Sequence, residues 1–359
     1  MKRSFLLYIS MFLVLAFSGF AAPKKPIDAE GMKLAQVMGI DADGEKLRLS
    51  VCTAGSEPER LSVLGESIPD AMRALDEKAV GSGILCDHVS AVFIGEELCR
   101  QGIEDILEYF CLSDRVRMDI PVYIIRSGSA ADAIATGSET VGSGELAENL
   151  RERAELTGGG TSPTASELRQ RLLHSGSGIA RALRVEPSAD AGGSVLSNAG
   201  LCLIRSGVSA GYLEEGDVSA VELLTGKRSI YHLRLRDRNG VGVSLEISGG
   251  KAGLRPEWDS DGTLSALEIG IRLSARLIDG SADDFLGGEA EIRRLIERNM
   301  VYHAGSVLRR CRSTGTDFLG LGQRVEMAAP IKFGKMKGSF EAALGSAEIK
   351  LTVRSEIES

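Results

Sequence analysis

The chain has 359 residues, 43% of them hydrophobic and 26% charged. At about 100–200 residues per domain, that is enough material for more than one buried core. A net charge of −8, with no run of Lys and Arg interleaved with aromatics, argues against nucleic acid as a partner. One Trp and ten Phe argue equally against an aromatic platform for sugars or bases.

Lys2 and Arg3 precede an apolar stretch from Phe5 to Phe17, interrupted only by Tyr8 and Ser10. Small residues follow at Ser18, Gly19, Ala21 and Ala22. Residues 1–21 therefore read as a secretory signal peptide, cleaved after Ala21, or as a retained N-terminal membrane anchor. No second apolar run of spanning length follows. Six cysteines remain, far apart in sequence, with Cys111 and Cys311 on apolar helix stripes. Buried free thiols are the expected state for most of them.

Alternation of Leu47, Leu49 and Val51 with Arg48 and Ser50 predicts a strand. It should pair with Leu34 to Ile40 as a hairpin across Asp41-Ala42-Asp43-Gly44. Leu61, Leu64, Ile68, Ala71, Met72 and Leu75 lie at helical spacing and predict a helix over Leu61 to Val80, with Pro69 near its start or at a kink. A buried strand at His88 to Ile94, an amphipathic helix through Ile103, Ile106, Leu107 and Phe110, and a strand at Pro121 to Ile125 complete a first α/β domain over 27–136. Residues 137–197, rich in Gly, Ser, Thr and Glu, read as a linker with short helices. One of these helices opens at the capping box Thr164-Ala165-Ser166-Glu167. A second, β-rich domain covers 198–262, where Tyr231, Leu233 and Leu235 face Val241, Val243, Leu245 and Ile247 across the turn Asp237 to Gly240.

The C-terminal domain, 263–359, contains two alternating stretches, Ile269 to Leu277 and Ala347 to Ile357. Between them a helix from Glu289 to Arg312 carries the stripe Ile292, Leu295, Ile296, Ala304, Val307, Leu308 and Cys311. Two long antiparallel strands covered by that helix would bury both apolar sets. The fold class is α+β: three mixed α/β domains, antiparallel sheets, and a long helix packed on the C-terminal sheet.

The chemistry-bearing residues do not assemble into a site. His88, His174, His232 and His303 share no metal-ligand spacing with one another or with cysteine. Cys86-Asp87-His88 places a thiol near an imidazole, but neighbours along a strand point to opposite faces, so it reads as a strand entry. Ser177 lacks the nucleophile-elbow pattern because position 175 is Ser. Gly320-Leu321-Gly322 follows a helix and reads as a turn rather than a dinucleotide loop. Glu96-Glu97 is accounted for by the dipole at a helix start, and His303 by its place beside an apolar stripe. No catalytic, cofactor-binding or metal-ligating residue is predicted, and no cofactor.

Five segments, in order, resemble the Ger(x)C family, the C subunits of spore nutrient germinant receptors. They are Met38-Gly39-Ile40-Asp41-Ala42-Asp43-Gly44; His88 through Phe93-Ile94-Gly95-Glu96-Glu97-Leu98 with Gly102-Ile103; Ala199-Gly200-Leu201 through Gly211-Tyr212-Leu213 with Leu224-Thr225-Gly226-Lys227; Val243 to Ile247; and Asp317-Phe318-Leu319-Gly320-Leu321-Gly322. The resemblance implies a three-domain, non-enzymatic ectodomain at the outer face of the inner spore membrane. Its partners there would be two membrane-embedded receptor subunits and the membrane surface. One departure is that family members carry a lipobox ending in Gly-Cys, where this chain has Gly19-Phe20. Phe20 offers no thiol for lipidation, so the expectation is anchoring by the uncleaved apolar segment, helped by Lys24 and Lys25, or through the partners alone. The alternative reading is an exported solute- or cell-wall-binding module.

Overall fold

The computed structural model describes residues 32–55, 58–79, 83–156, 162–188, 193–250 and 252–358. The expected signal or anchor lies outside them.

Nine strands form the first sheet: β1 (Lys33–Asp43), β2 (Lys46–Thr53), β3 (Arg60–Gly65), β4 (Ile84–Leu85), β5 (Ala91–Gly95), β6 (Val122–Ile125), β7 (Ser177–Pro187), β8 (Ser194–Arg205) and β9 (Val208–Leu213). Their order is β3-β2-β1-β5-β6-β7-β8-β9, with β4 also against β1. The central strands β1, β5, β6 and β7 run parallel, and each flank adds antiparallel strands. The β1–β2 hairpin is the one expected, with Asp41 opposite Arg48 and Asp43 opposite Lys46.

Parallel strands need helical crossovers, and these cover both faces. On one face lie α1 (Ile68–Lys78), α2 (Glu96–Gln101), α3 (Glu104–Leu112) and α6 (Ala165–Ser175). They bury Met72, Leu75, Leu98, Leu107, Phe110 and Leu168 against Met38, Ile40 and Ile94. On the other face α4 (Ala130–Val141) and α5 (Leu146–Leu156) set Ile134, Leu146 and Leu150 against Val37, Phe93 and Tyr123. Adjacent Val37 and Met38 thus enter different cores, as the pleat requires.

Helix α1 is shorter than the sequence suggested. Residues 60–65 form β3, in which Val63 is buried and Leu64 is 44% exposed, the period-two pattern of a strand. Ser67 then caps the helix by accepting from the Asp70 amide, and Pro69 sits in the first turn, where its missing N–H costs nothing. Thr164 and Glu167 form the reciprocal capping box expected at α6.

The stretch 137–197 is not a linker. It holds the end of α4, all of α5 and α6, the sheet strand β7, and the start of β8. At Gly137 the small residue marks close packing. A Cβ on Gly137 would lie 2.6 Å from Leu146 and 2.9 Å from Leu196, so only glycine lets α4, α5 and β8 meet there.

Strands β8 and β9 complete the first sheet, so the sheets partition the chain differently from the boundary drawn at 198. The second sheet contains β10 (Ser229–Arg236), β11 (Gly242–Gly249), β12 (Gly253–Trp258), β13 (Leu264–Asp279) and β14 (Glu348–Glu358). The β10–β11 hairpin turns where expected, and the Asp237 carboxylate accepts from the amides of Asn239 and Val241. The long strands β13 and β14 are parallel, not antiparallel. Alternation reveals which face is buried but says nothing of direction. Direction is set by the returning chain: α8 (Gly288–Thr314), α9 (Leu321–Ala328), α10 (Pro330–Met336) and α11 (Phe340–Ser346) carry it back to the end from which β13 started.

Helix α8 lies on this sheet, burying Ile292, Ile296, Met300, Ala304, Val307, Leu308 and Cys311. The core it forms also takes Ile179, Leu201 and Leu203 from the first sheet and Val221 and Leu224 from α7 (Val218–Leu224). Ile296 is 0% exposed, so Ile296→Ala should cost about 2–5 kcal/mol in urea unfolding. Tyr302→Ala, on the solvent side of the same helix, should stay within about 0.5 kcal/mol.

Candidate functional site

Four of the five family-like segments contain or abut a buried carboxylate or a close backbone approach. Asp41, at the end of β1, is 7% exposed and accepts from the amides of Ala130 at 2.7 Å and Ala131 at 3.0 Å, the first turn of α4. Burial raises its carboxyl above the ordinary value, and the two amides pull it back. The carboxylate reaches α4 only because position 95 is glycine: a Cβ there would stand 2.1 Å from Asp41 Oδ1. Next to it, Glu96 accepts from the Ser127 amide at 2.8 Å, holding a turn whose Ser127 φ is 59°, and pairs with Arg100 at 3.1 Å. The Gly-Ile-Asp and Gly-Glu-Glu-Leu segments are thus parts of one joint between β1, α2 and α4. Glu96 serves that joint, whereas Glu97 is exposed and faces Arg100.

The second half repeats the device. Asp317 accepts from the amides of Leu321 at 2.8 Å and Gly322 at 2.7 Å, capping α9, and its own amide donates to Glu341. The segment Gly320-Leu321-Gly322 is a turn that opens a helix, with Gly320 in the left-handed region. Burial is the main force raising the Asp317 carboxyl, against the pull of the Gly322 and Leu321 amides.

Between the two sheets opens a cleft of about 870 Å³, bounded by α6, the start of β7, α7 and the Asp317 turn. Ser177 Oγ donates across it to the Asp317 carbonyl at 2.9 Å. Arg181, 4% exposed, stands in its wall near Glu222, itself 6% exposed. Burial draws the Arg181 guanidinium below its ordinary value, and the Glu222 carboxylate opposes that. Lys227 Nζ approaches Glu222 at 3.7 Å. Further along the same boundary His303 Nδ1 meets Asp217 at 2.8 Å, and the Arg126 guanidinium lies 4.7 Å over the Tyr212 ring. Arg126 also pairs with Glu214 at 3.2 Å. Of these contacts Ser177 to Asp317 spans the two halves; together they do not converge on a reacting centre.

The residues weighed for chemistry are dispersed. Cys86 is buried, its thiol pushed up to about 11 by desolvation, which leaves no thiolate to attack. His88, two residues on, is exposed beside Asp87 at 3.9 Å. Ser177 is buried and spends its hydroxyl on Asp317, while His174 lines the cleft from α6 and His232 lies on the outer face of β10. All six cysteines are free thiols; five are buried and Cys111 is half-buried. Among the described residues no group of three or more His, Cys, Asp or Glu is placed to hold a metal.

Two family models match the chain. The spore germination protein N-terminal domain covers 27–185, and the spore germination B3/GerAC-like C-terminal domain covers 199–359. The chain belongs to the GerAC-like family of spore germination proteins. That is not an enzyme family, and the resemblance read from the five segments stands. The fold is similar to the crystal structure of the GerBC protein, with a TM-score of 0.59 at 15% identity, over 90% of this chain and 97% of that one. No curated protein matches by sequence. Sequence reasoning found the family-like segments but missed their purpose. Asp41, an acid in a largely buried strand, and Gly95, a glycine ending another, mark the place, but no local spacing points to the helix that they serve.

A double-mutant cycle tests the first joint. Gly95→Ala and Asp41→Ala should each destabilise by about 1–3 kcal/mol. Together they should cost less than the sum, because removing the carboxylate makes room for the new methyl. For Asp317 the sign follows from its raised carboxyl. Its titration favours the folded state at pH below the unfolded value of about 3.9 and loses that contribution as pH rises through the folded value. Stability of Asp317→Asn relative to the parent should therefore improve with pH across that window and level off above it, as followed by chemical unfolding at each pH.

Proposed function

We propose that this chain is the C subunit of a nutrient germinant receptor. It acts by protein–protein contact at the outer face of the inner spore membrane, beside two membrane-embedded subunits. The observation that carries the reading is the tandem of the two germination-family models along 27–185 and 199–359. The fold shared with the GerBC protein over nearly the full length of both chains supports it. The dispersal of histidines, thiols and acids into caps and ion pairs is consistent with a part that transmits or stabilises a conformation. With Phe20 in place of the lipobox cysteine, attachment relies on the apolar segment Phe5 to Phe17 or on the partner subunits.

Deleting the chain should abolish germination in response to one nutrient while leaving nutrient-independent germination intact, as read by the fall in optical density of spore suspensions. In mild detergent the tagged protein should copurify with two multi-spanning membrane proteins. Normal nutrient responses across the deletion strain, together with a chain that purifies alone, would refute the proposal.

A further inference from the structure

Residues 327–340 contain Lys332, Lys335 and Lys337 and no acidic residue, within a chain whose net charge is −8. Helix α10 occupies the middle of this segment and is fastened by Phe333, which is 5% exposed with its ring 5.5 Å from that of Phe340. The anchored ring turns the rest of the helix outward. Ile331 is 82% exposed, more than any other large hydrophobic residue among those described, and Lys332 and Lys335 are exposed beside it. On neighbouring α9, Met327 is 67% exposed. Lys332 Nζ lies 5.5 Å from the ring centroid of Trp258, the sole tryptophan of the chain, which is half-buried at the end of β12.

We propose that this patch rests on an anionic lipid surface. Protruding Ile331 and Met327 supply apolar groups able to enter the boundary between headgroups and acyl chains. Lys332 and Lys335 supply compact, mobile positive charges suited to lipid phosphates, and Lys332 lies against the ring of Trp258, a residue type favoured in interfaces. Charge complementarity commits the patch to an anionic lipid surface: Ile331 and Met327 emerge beside Lys332 and Lys335, so apolar and cationic groups meet acyl chains and phosphates together. The contact is separate from the apolar N-terminal segment and would fix which side of the C-terminal half faces the bilayer.

Trp258 makes the test direct. The full-length protein is reconstituted with vesicles of phosphatidylcholine alone or mixed with phosphatidylglycerol, each carrying brominated acyl chains that quench tryptophan at short range. The N-terminal segment can tether the chain to both kinds of vesicle, so the difference between them reports the patch. Quenching of Trp258 should be about twofold stronger on the anionic vesicles and should weaken with salt. Lys332→Glu/Lys335→Glu and, separately, Ile331→Asp should return it to the neutral-vesicle level. Both variants should melt like the parent, since the altered side chains are exposed. Equal quenching on the two vesicles, or quenching indifferent to the substitutions, would overturn the proposal. So would quenching that arises only when membrane-embedded partner subunits are added, which would mark the patch as a protein-docking face.

Discussion

A carboxylate turned inward at the end of a central strand sets the geometry of the first sheet. Asp41 binds the opening amides of α4, and α4 in turn covers β1, β5 and β8. A buried carboxylate is costly unless its lone pairs are filled, and the free N–H groups of a helix start are well suited to fill them. The arrangement therefore satisfies two demands with one contact: the acid loses water but gains amides, and the helix gains a cap from a residue 89 positions away. Asp317 does the same for α9 within a few residues. Each half of the molecule is thus pinned by an acid packed against a glycine: a Cβ on Gly95 would stand 2.1 Å from Asp41 Oδ1, and one on Gly322 3.3 Å from Asp317 Oδ2.

The boundary between the halves has a mixed character. β7 and β8 are two-sided, with Ala180 and Cys202 facing the first core and Ile179, Leu201 and Leu203 facing the second. That shared apolar wall makes the halves continuous along one edge. Elsewhere the boundary is polar: Ser177 to Asp317, Arg205 to the Thr314 carbonyl, and the cleft walled by Arg181 and Glu222.

Much of this architecture was legible in the residues. The alternating stretches gave β2, β11, β13 and β14 their buried faces, and the long stripe from Ile292 to Cys311 gave α8 both its length and its contact side. The capping box at Thr164 appears as written. Three features were not legible, for physical reasons. The direction of β14 relative to β13 leaves no mark on a period-two pattern. The packed role of 137–156 was hidden because small residues serve flexibility and close approach alike, and only a partner such as Leu196, 59 positions from Gly137, distinguishes the two. The task of Asp41 was invisible because a cap from a distant strand has no local spacing.

The parallel pairing of β13 with β14 has a temporal side. Ala266 lies beside Glu348 and Arg276 beside Glu358, so every rung of that ladder joins residues separated by four intervening helices. Such pairings form late, since the loop they close is long and nothing local rewards the attempt. Until β14 arrives, β13 offers one bare edge along most of its length, and the apolar groove beneath α8 stays wet. A chain made in N-to-C order would have its first half sealed while the second still waited for its last strand. This interval is when the protein would be most exposed to proteases and to mispairing with other unfinished chains.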